Sequence, residues 1–433
     1  MADTVLVREG ASYGIQEFKQ AIFEKRPVQA LFKQSKYHHF YPQSGSVRGS
    51  MGGNFLIPGS QKLLDFGEAY MYLKIRLMRG DAGVNAGKNF PPNTKVWPIC
   101  DILPGVFKTL KTSVGQQVIT NHESNFAYTS YVQDLLNRSY GNRTEVLDGA
   151  GFYLDDTGQF DTFDYDKDTR GLKNSGAERR LRRFAECTPG ADDLAIDWES
   201  FNSTAEVFGS LNLDISDLAL GTYPNLDVNL NFTLQEPRFF LQAEPSARDF
   251  YPTYEVLDMQ LLVLKRTLPT DNYLSLTRPI VQDKKSTIQQ FTLFKMTSYP
   301  IPEGSTSFSV ENFQGSGNVG TRLIIAFVLQ RAYTGDYALN PFYFCQQFGT
   351  VLVKTMSITL DSEEIDGFSV LNGGLRINTR VLYQRFLRFL GTSQSTNYTS
   401  GIGFNDFSAT GGVRIFYVLK RFILNNFISF SFF

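Results

Sequence analysis

The chain has 433 residues, a length that allows two or three domains of about 150 residues each. Its 42 basic and 43 acidic residues nearly cancel, so no overall field draws it to nucleic acid or to a membrane, and any such contact must be local. The 38 Phe, 21 Tyr, 36 Gly and 17 Pro favour many short strands joined by turns.

The three cysteines, Cys100, Cys187 and Cys345, are far apart and fit no metal-ligand spacing. Their odd number argues against a disulfide framework and predicts free thiols in a reducing compartment. The first residues lack a signal-peptide pattern, and no run of about 18 apolar residues occurs, so the sequence predicts neither secretion nor a membrane span.

Residues 1–53 are predicted to form an amino-terminal arm and a hinge. Ile15, Phe18 and Ile22 make a short apolar stripe, which favours a helix that ends before Pro27. The Gly/Ser-rich stretch that follows favours a flexible hinge. We expect the arm to dock on its own core or on a neighbouring subunit.

Residues 54–268 are predicted to form a first β domain. Apolar and polar side chains alternate in 69–80, which indicates a half-buried strand. A loop, a second extended run at 106–119 and a helical pattern at 125–137 follow. The clearest alternation in the chain is at 226–235, where five apolar residues share one face: Leu226, Val228, Leu230, Phe232 and Leu234.

The remainder of this domain contains a central strand and a long irregular region. Residues 254–268 are apolar enough to be a central strand. Residues 148–202 are rich in Asp and Gly, and a loop of this length indicates an insertion with a function or a disordered segment.

Residues 269–433 are predicted to form a second β domain, with strands at 287–302, 306–313, 321–330 and 351–360 and a helical pattern at 376–391. The order strand, loop, strand, helix occurs in both halves, which favours a tandem duplication. Short strands with frequent turn signals are typical of sandwiches and jelly rolls. The apolar tail is either a truncated end or a divergent closing strand, and missing strands would leave an open sheet edge.

Two motifs suggest ligands and fail on closer inspection. The glycines of 315–320 match GxGxxG, but the predicted strand follows the motif and no helix does, so a glycine loop is favoured over a nucleotide site. Asp164, Asp166 and Asp168 alternate as in a calcium loop. Thr169 and Ser175 stand where that loop requires Gly and Glu, so a solvated acidic loop is favoured.

The sequence offers no catalytic constellation. His38, His39 and His122 are its only histidines, and neither a GxSxG nor an HExxH motif occurs. We therefore predict no enzyme activity, no catalytic, cofactor-binding or metal-ligating residue, and no cofactor.

One dense basic cluster lies inside the long irregular region. Its four arginines could contact phosphate or act as a nuclear-import signal, but Glu178 and Glu186 flank them, and a solvated loop is favoured. The four are Arg179, Arg180, Arg182 and Arg183.

An ordered series of segments resembles the double jelly-roll major capsid proteins of Polinton/Maverick elements, adintoviruses and virophage-like viruses. It spans roughly residues 54–400 and includes LLDFGEAYMYLKIRL in the first half and MSITLDSEEI in the second. No single piece is a signature, and the order makes the resemblance specific. The segments are 54–77, 99–119, 126–137, 147–158, 208–235, 311–344 and 356–365.

The resemblance implies an all-β fold of two tandem jelly rolls with short helices in loops. It implies a structural viral protein, a homotrimer that forms a pseudo-hexagonal, hexon-like capsomer of an icosahedral capsid. Its expected partners are copies of itself, neighbouring capsomers and penton or minor capsid proteins, without specific nucleic-acid binding. Its expected place is the virion capsid, after synthesis in the host cytoplasm.

The same resemblance implies that loops around 80–95, 150–205 and 330–345 make tower or intersubunit contacts. One departure concerns the end of the chain, where the family continues with an aspartate-containing strand and two or three more strands. The alternative function is a β-sandwich binding module for a receptor or a carbohydrate, spike-like or host-domesticated.

Overall fold

The structure is a computed structural model. It describes residues 32–43, 52–81, 86–91, 94–122, 126–137, 145–156, 158–163, 173–185, 204–217, 222, 224–282, 293–311, 323–344, 347–348, 351–360, 363–369, 383–384, 386–387, 415–418 and 426–432.

The described residues form mostly antiparallel strands. In the first half these are β1 (Gln34–Phe40), β2 (Gly52–Ile57), β3 (Leu63–Arg79), β4 (Val96–Pro98), β5 (Phe107–Val114), β6 (Gln117–His122), β7 (Thr204–Gly209), β8 (Val228–Leu234), β9 (Leu241–Ala243) and β10 (Pro252–Thr267). In the second half they are β11 (Ser307–Glu311), β12 (Leu323–Ala326), β13 (Gln347–Phe348), β14 (Val351–Leu360), β15 (Glu363–Ser369), β16 (Ile415–Val418) and β17 (Asn426–Phe432).

The helices among the described residues of both halves are short and lie in connections between strands. They are α1 (Ile102–Gly105), α2 (Phe126–Asn137), α3 (Ser175–Ala185), α4 (Pro237–Phe240), α5 (Pro245–Arg248), α6 (Thr270–Val281) and α7 (Gln330–Thr334). None of the helices described is both long and apolar enough to cross a membrane.

Eight strands of the first half form two four-stranded sheets, β1-β10-β3-β7 and β2-β8-β5-β6. Their pairing is nested. When the eight are counted in chain order, the first pairs with the eighth, the second with the seventh, the third with the sixth and the fourth with the fifth. A long hairpin wound on itself gives this order, which defines a jelly roll.

The core lies between these two sheets. It is formed by every second side chain of their strands, because successive side chains of a strand point to opposite faces. In β3, Leu73, Ile75 and Leu77 are fully buried, and their neighbours in sequence are half-buried on the outer face. In β8 the alternate residues Val228 to Leu234 are buried, whereas Leu226 lies before the strand and is exposed. The strands predicted at 69–80, 226–235 and 254–268 are present in the structure, and β10 lies inside its sheet as predicted.

Two predictions for the first half differ from the structure. Residues 34–40, assigned to the arm, form edge strand β1 against β10. The run 106–119, predicted as one strand, is a hairpin of β5 and β6 that turns at Gly115, whose φ of 59° lies in the region that favours glycine. The helical stripe at 15–22 lies outside the described residues.

The second half, where it is described, repeats the outer two of these pairings. Its first strand, β11, pairs with its last, β17, and its second strand, β12, pairs with β16. Strand β17 lies between β11 and β14, just as β10 lies between β1 and β3. The apolar tail therefore contributes an interior strand, as expected for a divergent closing strand.

Other predicted elements of the second half differ in extent. Residues 293–302 were predicted to belong to a strand and form no regular element. Strand β12 ends at Ala326, short of the predicted 330, and α7 follows. The chain turns back after Leu360 into β15. Of the helix predicted at 376–391, residues 383–384 and 386–387 are helical, and the others lie outside the described residues.

Candidate functional site at the junction of the two halves

A segment of the second half, residues 335–344, packs into the connection that follows α2 in the first half. Asn340, Phe342 and Phe344 of this segment are buried. They contact Asp155 and Asp161 of that connection and Tyr131 of α2. This contact, which we call the junction, holds the two β halves of one chain together.

Helix α3 brings a buried arginine to the junction. Ala177, Leu181 and Phe184 are fully buried at helical spacing, and Arg180 shares their inward side with no exposed surface. The solvated loop favoured for this basic cluster is therefore wrong for Arg180. Arg179 remains exposed on the same helix.

Arg180 is held by a carboxylate and a carbonyl. Its Nη2 donates to Asp155 Oδ1 at 2.6 Å, and its Nη1 donates to the carbonyl oxygen of Tyr153 at 2.5 Å. Both charged side chains are completely excluded from solvent. Burial raises the pKa of Asp155, and the guanidinium opposes that rise.

Asp155 also reaches the second half. Asn340 Nδ2 donates to Asp155 Oδ2 at 2.6 Å, and the Asn340 backbone N–H donates to Asp161 Oδ1 at 2.7 Å. The Asn340 side-chain oxygen accepts from the Phe342 N–H at 2.9 Å. One asparagine thus satisfies two carboxylates of the first half and fixes its own loop.

Asp161 is the second carboxylate of this network, and its pKa is also raised. Burial raises the pKa of Asp161 to about 6, and the Asn340 N–H opposes the rise. The charges of Asp155 and Asp336 add to the rise because they lie close by and have the same sign.

Aromatic rings extend the core across the junction. Phe342 stacks on Tyr131 of α2 with centroids 4.2 Å apart and planes at 12°. Phe344 meets the same tyrosine edge-on at 5.5 Å, and Phe239 of α4 meets Phe342 edge-on at 6.2 Å. Such pairs add about 0.5–1.5 kcal/mol each beyond the area they bury, so the junction is a packed interface.

The histidines are not assembled into a site. His38 and His39 lie on β1, and His122 ends β6 with Nε2 3.7 Å from Asp214 Oδ2. Burial lowers the pKa of His122, which favours its neutral form. Among the described residues, no three His, Cys, Asp or Glu side chains are grouped to hold a metal ion.

The other residues considered as ligands or reactive groups are either buried or lie outside the described residues. Cys100 is a buried free thiol whose pKa is raised by burial. Cys187, Cys345, the aspartates of 164–168 and the glycines of 315–320 lie outside the described residues. Asp101 is a further buried acid, and both burial and the charge of Asp134 raise its pKa.

Two of the loops expected to contact other subunits contact each other. The described parts of 150–205 and 330–345 meet at the junction. The sequence did not indicate this contact between the two loops, because Asp155 and Asn340, which form one of its hydrogen bonds, are 185 positions apart. The helical spacing of Ala177, Leu181 and Phe184 was a signal for the inward face of α3.

Comparison with known proteins shows which of them have a similar fold. No family profile matches the sequence, and no curated protein matches it either. The chain is similar in structure to a chain of the Sputnik virophage, determined by cryo-EM at 3.5 Å, with a TM-score of 0.52 and 13% identity over 98% of this chain and 86% of that one.

Two further structures have lower scores. The mavirus major capsid protein gives a TM-score of 0.45 at 9% identity, covering 94% of this chain and 85% of its own. The Faustovirus major capsid protein gives 0.44 at 8% identity, covering 99% and 95%.

The class of protein that the strands define is all-β, with two tandem jelly rolls and short helices in loops. The predicted resemblance to double jelly-roll capsid proteins is confirmed at the level of the fold by the similarity to the Sputnik virophage chain.

Proposed function

We propose that this chain is a viral major capsid protein with a structural, non-enzymatic role. It assembles as a homotrimer that forms a pseudo-hexagonal capsomer of an icosahedral shell. Its location is the virion capsid, and its partners are further copies of itself together with penton or minor capsid proteins. The first jelly roll comprises residues 54–268 with β1 added from the arm, and the second comprises 269–433.

The observation that carries this proposal is the nested strand order found twice in one chain. The first-with-last and second-with-next-to-last pairings occur in both halves. Two jelly rolls held by a packed junction make one building block, and three such blocks supply six jelly rolls around one axis. Contacts between unlike surfaces can close into such a ring.

An exposed aromatic patch supports self-association. Tyr37 of β1, Tyr70 of β3 and Phe208 of β7 lie in a row on the outer face of the first sheet, with ring centroids 6.0 and 5.1 Å apart. Phe208 is 43% exposed and Tyr37 is 38% exposed. A row of exposed rings on a sheet face is typical of a contact surface, and we propose that another subunit covers it.

The test is the mass of the purified full chain at micromolar concentration. Light scattering should give three times the chain mass of 48.9 kDa, and negative-stain microscopy should show three-fold particles or shells. A protein that stays monomeric under these conditions contradicts the proposal. Glycan binding by such a monomer would support the alternative of a binding module.

A further inference from the structure

Three lysines converge at one end of the sheet that β1, β10, β3 and β7 form. Lys36 of β1 and Lys265 of β10 stand directly opposite each other in their antiparallel pair. Lys62 lies two residues before Leu64, which is the partner of Lys265 on β3. Residues directly opposite have Cβ atoms about 4.5–5.5 Å apart, and diagonal neighbours are about 7–8 Å apart. The three therefore form one group, which we call the lysine cluster.

The charges of the lysine cluster act on one another and on a histidine. His38 is on the same face of β1 as Lys36, because the two are two positions apart. Burial lowers the pKa of His38, and the charges of Lys265, Lys62 and Lys36 lower it further. Burial also lowers the pKa of Lys265, and the charge of Lys62 adds to that effect. His38 is therefore neutral at pH 7, and the positive charge of this region belongs to the lysines.

Lys265 is the inner member of the lysine cluster. It is 9% exposed, and its Nζ lies 5.2 Å from the centre of the Phe40 ring, which packs against the core. The Nζ has no hydrogen-bond partner among the described residues, yet it still reaches solvent. Because the buried stem holds the ammonium group in place, an anion can bind it at a small further cost in side-chain entropy.

The acids in this part of β3 are already paired. Asp65 forms an ion pair with Arg266, and Glu68 accepts a hydrogen bond from the Tyr37 hydroxyl. Within the described part of the chain, no carboxylate forms an ion pair with a lysine of the cluster. Like charges directly opposite in a sheet are destabilising, so an anion that binds the cluster would stabilise the folded state.

The number and arrangement of the charges select the class of anion. A carboxylate carries one negative charge, with both oxygens in one plane, and would leave most of the repulsion in place. A phosphate group carries up to two or more charges, and its tetrahedral oxygens can meet ammonium groups from several directions. We propose that the lysine cluster binds a multiply charged phosphate group, as in a phosphomonoester or a pyrophosphate, whose oxygens lie among the three ammonium groups.

The experiment uses the full chain and inorganic pyrophosphate, titrated by calorimetry in metal-free buffer. Pyrophosphate should bind saturably and raise the melting temperature, because a ligand of the folded state stabilises it. Lys265→Met and Lys36→Met should each weaken binding about tenfold or more, the value of one hydrogen bond to a charged group. Lys111→Met is the matched control and should bind as the unaltered protein does, because it changes the net charge equally and Lys111 is exposed on β5 of the other sheet.

A second arm identifies the source of the phosphate. Vesicles of phosphatidylcholine and phosphatidic acid present a phosphomonoester on a lipid. Sedimentation of the protein with these vesicles, lost in Lys265→Met and kept in Lys111→Met, would assign the site to a lipid headgroup. Binding of pyrophosphate without binding of vesicles would assign it to a soluble phosphate compound.

Three results would overturn the proposal. They are the absence of saturable pyrophosphate binding to the unaltered protein, equal affinities of the Lys265, Lys36 and Lys111 variants, and tighter binding of succinate than of pyrophosphate. Lys36 is exposed, so its replacement leaves the fold intact, and the comparison of Lys36→Met with Lys111→Met decides even where Lys265→Met does not fold.

Discussion

Arg180 and Asp155 form an ion pair that no solvent reaches, with 2.6 Å between Arg180 Nη2 and Asp155 Oδ1. The second oxygen of the same carboxylate accepts from Asn340, which belongs to the other half of the chain. A buried carboxylate held by a cation and an amide depends on both partners to remain charged. The pair therefore couples the fold of the long connection to the position of the second half.

Replacing Arg180 by Met should destabilise the protein by about 3–5 kcal/mol, because it leaves the Asp155 charge buried without its counter-charge. The measurement is the free energy of unfolding in urea, followed by tyrosine and tryptophan fluorescence.

Arg179→Met is the matched control on the same helix and should change stability by less than about 0.5 kcal/mol, since Arg179 is exposed. The double variant Arg180→Met, Asp155→Asn should recover part of the loss, because it also removes the unpaired charge. Equal stability of the Arg180 and Arg179 variants would contradict the buried pair.

Replacing Asn340 by Ala should cost about 1–3 kcal/mol, because it removes the amide donor to Asp155 and the acceptor for the Phe342 N–H. The loss should appear first as cleavage by protease within the junction, since that loop is fixed by these two bonds. Asn54→Ala is the control, because Asn54 bonds only the exposed Gln43 side chain through its amide nitrogen. Identical protease patterns for the two variants would show that Asn340 does not fix the junction.

The stability of the folded chain should contain a component that rises as the pH falls toward 5. The folded pKa of Asp161 is about 6, above its unfolded value of about 3.9, so the folded state binds the proton more tightly. This contribution is fully present below the unfolded pKa and is lost as the pH rises through 6. Between pH 7.5 and 4.5 it amounts to about 2 kcal/mol.

Asp161→Asn isolates that component, because asparagine keeps an oxygen for the Asn340 N–H and does not titrate. We expect the stability difference between the variant and the unaltered protein to change by about 2 kcal/mol over this pH range. A difference that stays constant with pH would exclude Asp161 as the responsible group.

Phe208→Asp should prevent trimer formation while the monomer still folds. The ring is 43% exposed, so its removal costs the monomer little, but a carboxylate in the aromatic patch would be desolvated by a covering subunit. Light scattering at micromolar concentration measures the effect. Val118→Asp is the control, because Val118 is 46% exposed on the other sheet, and it should leave the trimer intact.

Sequence patterns predicted the strands whose two faces differ. In β3 and β8 every second residue is buried, so alternation alone identifies them. Strand β1 escaped prediction because it is an edge strand with mostly exposed residues, and its sequence QSKYHHF lacks an apolar face. The turn at Gly115 was visible as a glycine, but the apolar residues on both sides resembled one continuous strand.

The junction could not be predicted from local patterns, because its bonds join distant positions. The flanking glutamates made a solvated loop the natural expectation for Arg180, and only the tertiary position of Asp155, 25 residues away, overrides it. Asn340 likewise has no local feature that identifies Asp155 and Asp161 as partners. Whether a charged side chain is buried in this protein therefore depends on which distant segments of the chain pack together.

The last prediction concerns β17, the strand formed by the divergent tail. Ser429 pairs with Ser309 of β11 on one side and with Ser357 of β14 on the other. A proline at 429 removes a backbone donor and fixes φ, and an interior strand cannot accommodate either change. Ser429→Pro should therefore destabilise the second half and leave β11 and β14 as exposed edges that aggregate.

Glu303→Pro is the control, because Glu303 lies in the turn before β11, outside any strand, and precedes Gly304 at a turn position where proline is common. Size-exclusion chromatography after expression should show aggregates for Ser429→Pro and not for Glu303→Pro. Hydrogen exchange should show protection lost in β11 and β14 while β3 and β10 of the first half stay protected, since those strands pair independently of the tail. Unchanged exchange in β11 and β14 would mean that the tail does not occupy the interior of that sheet.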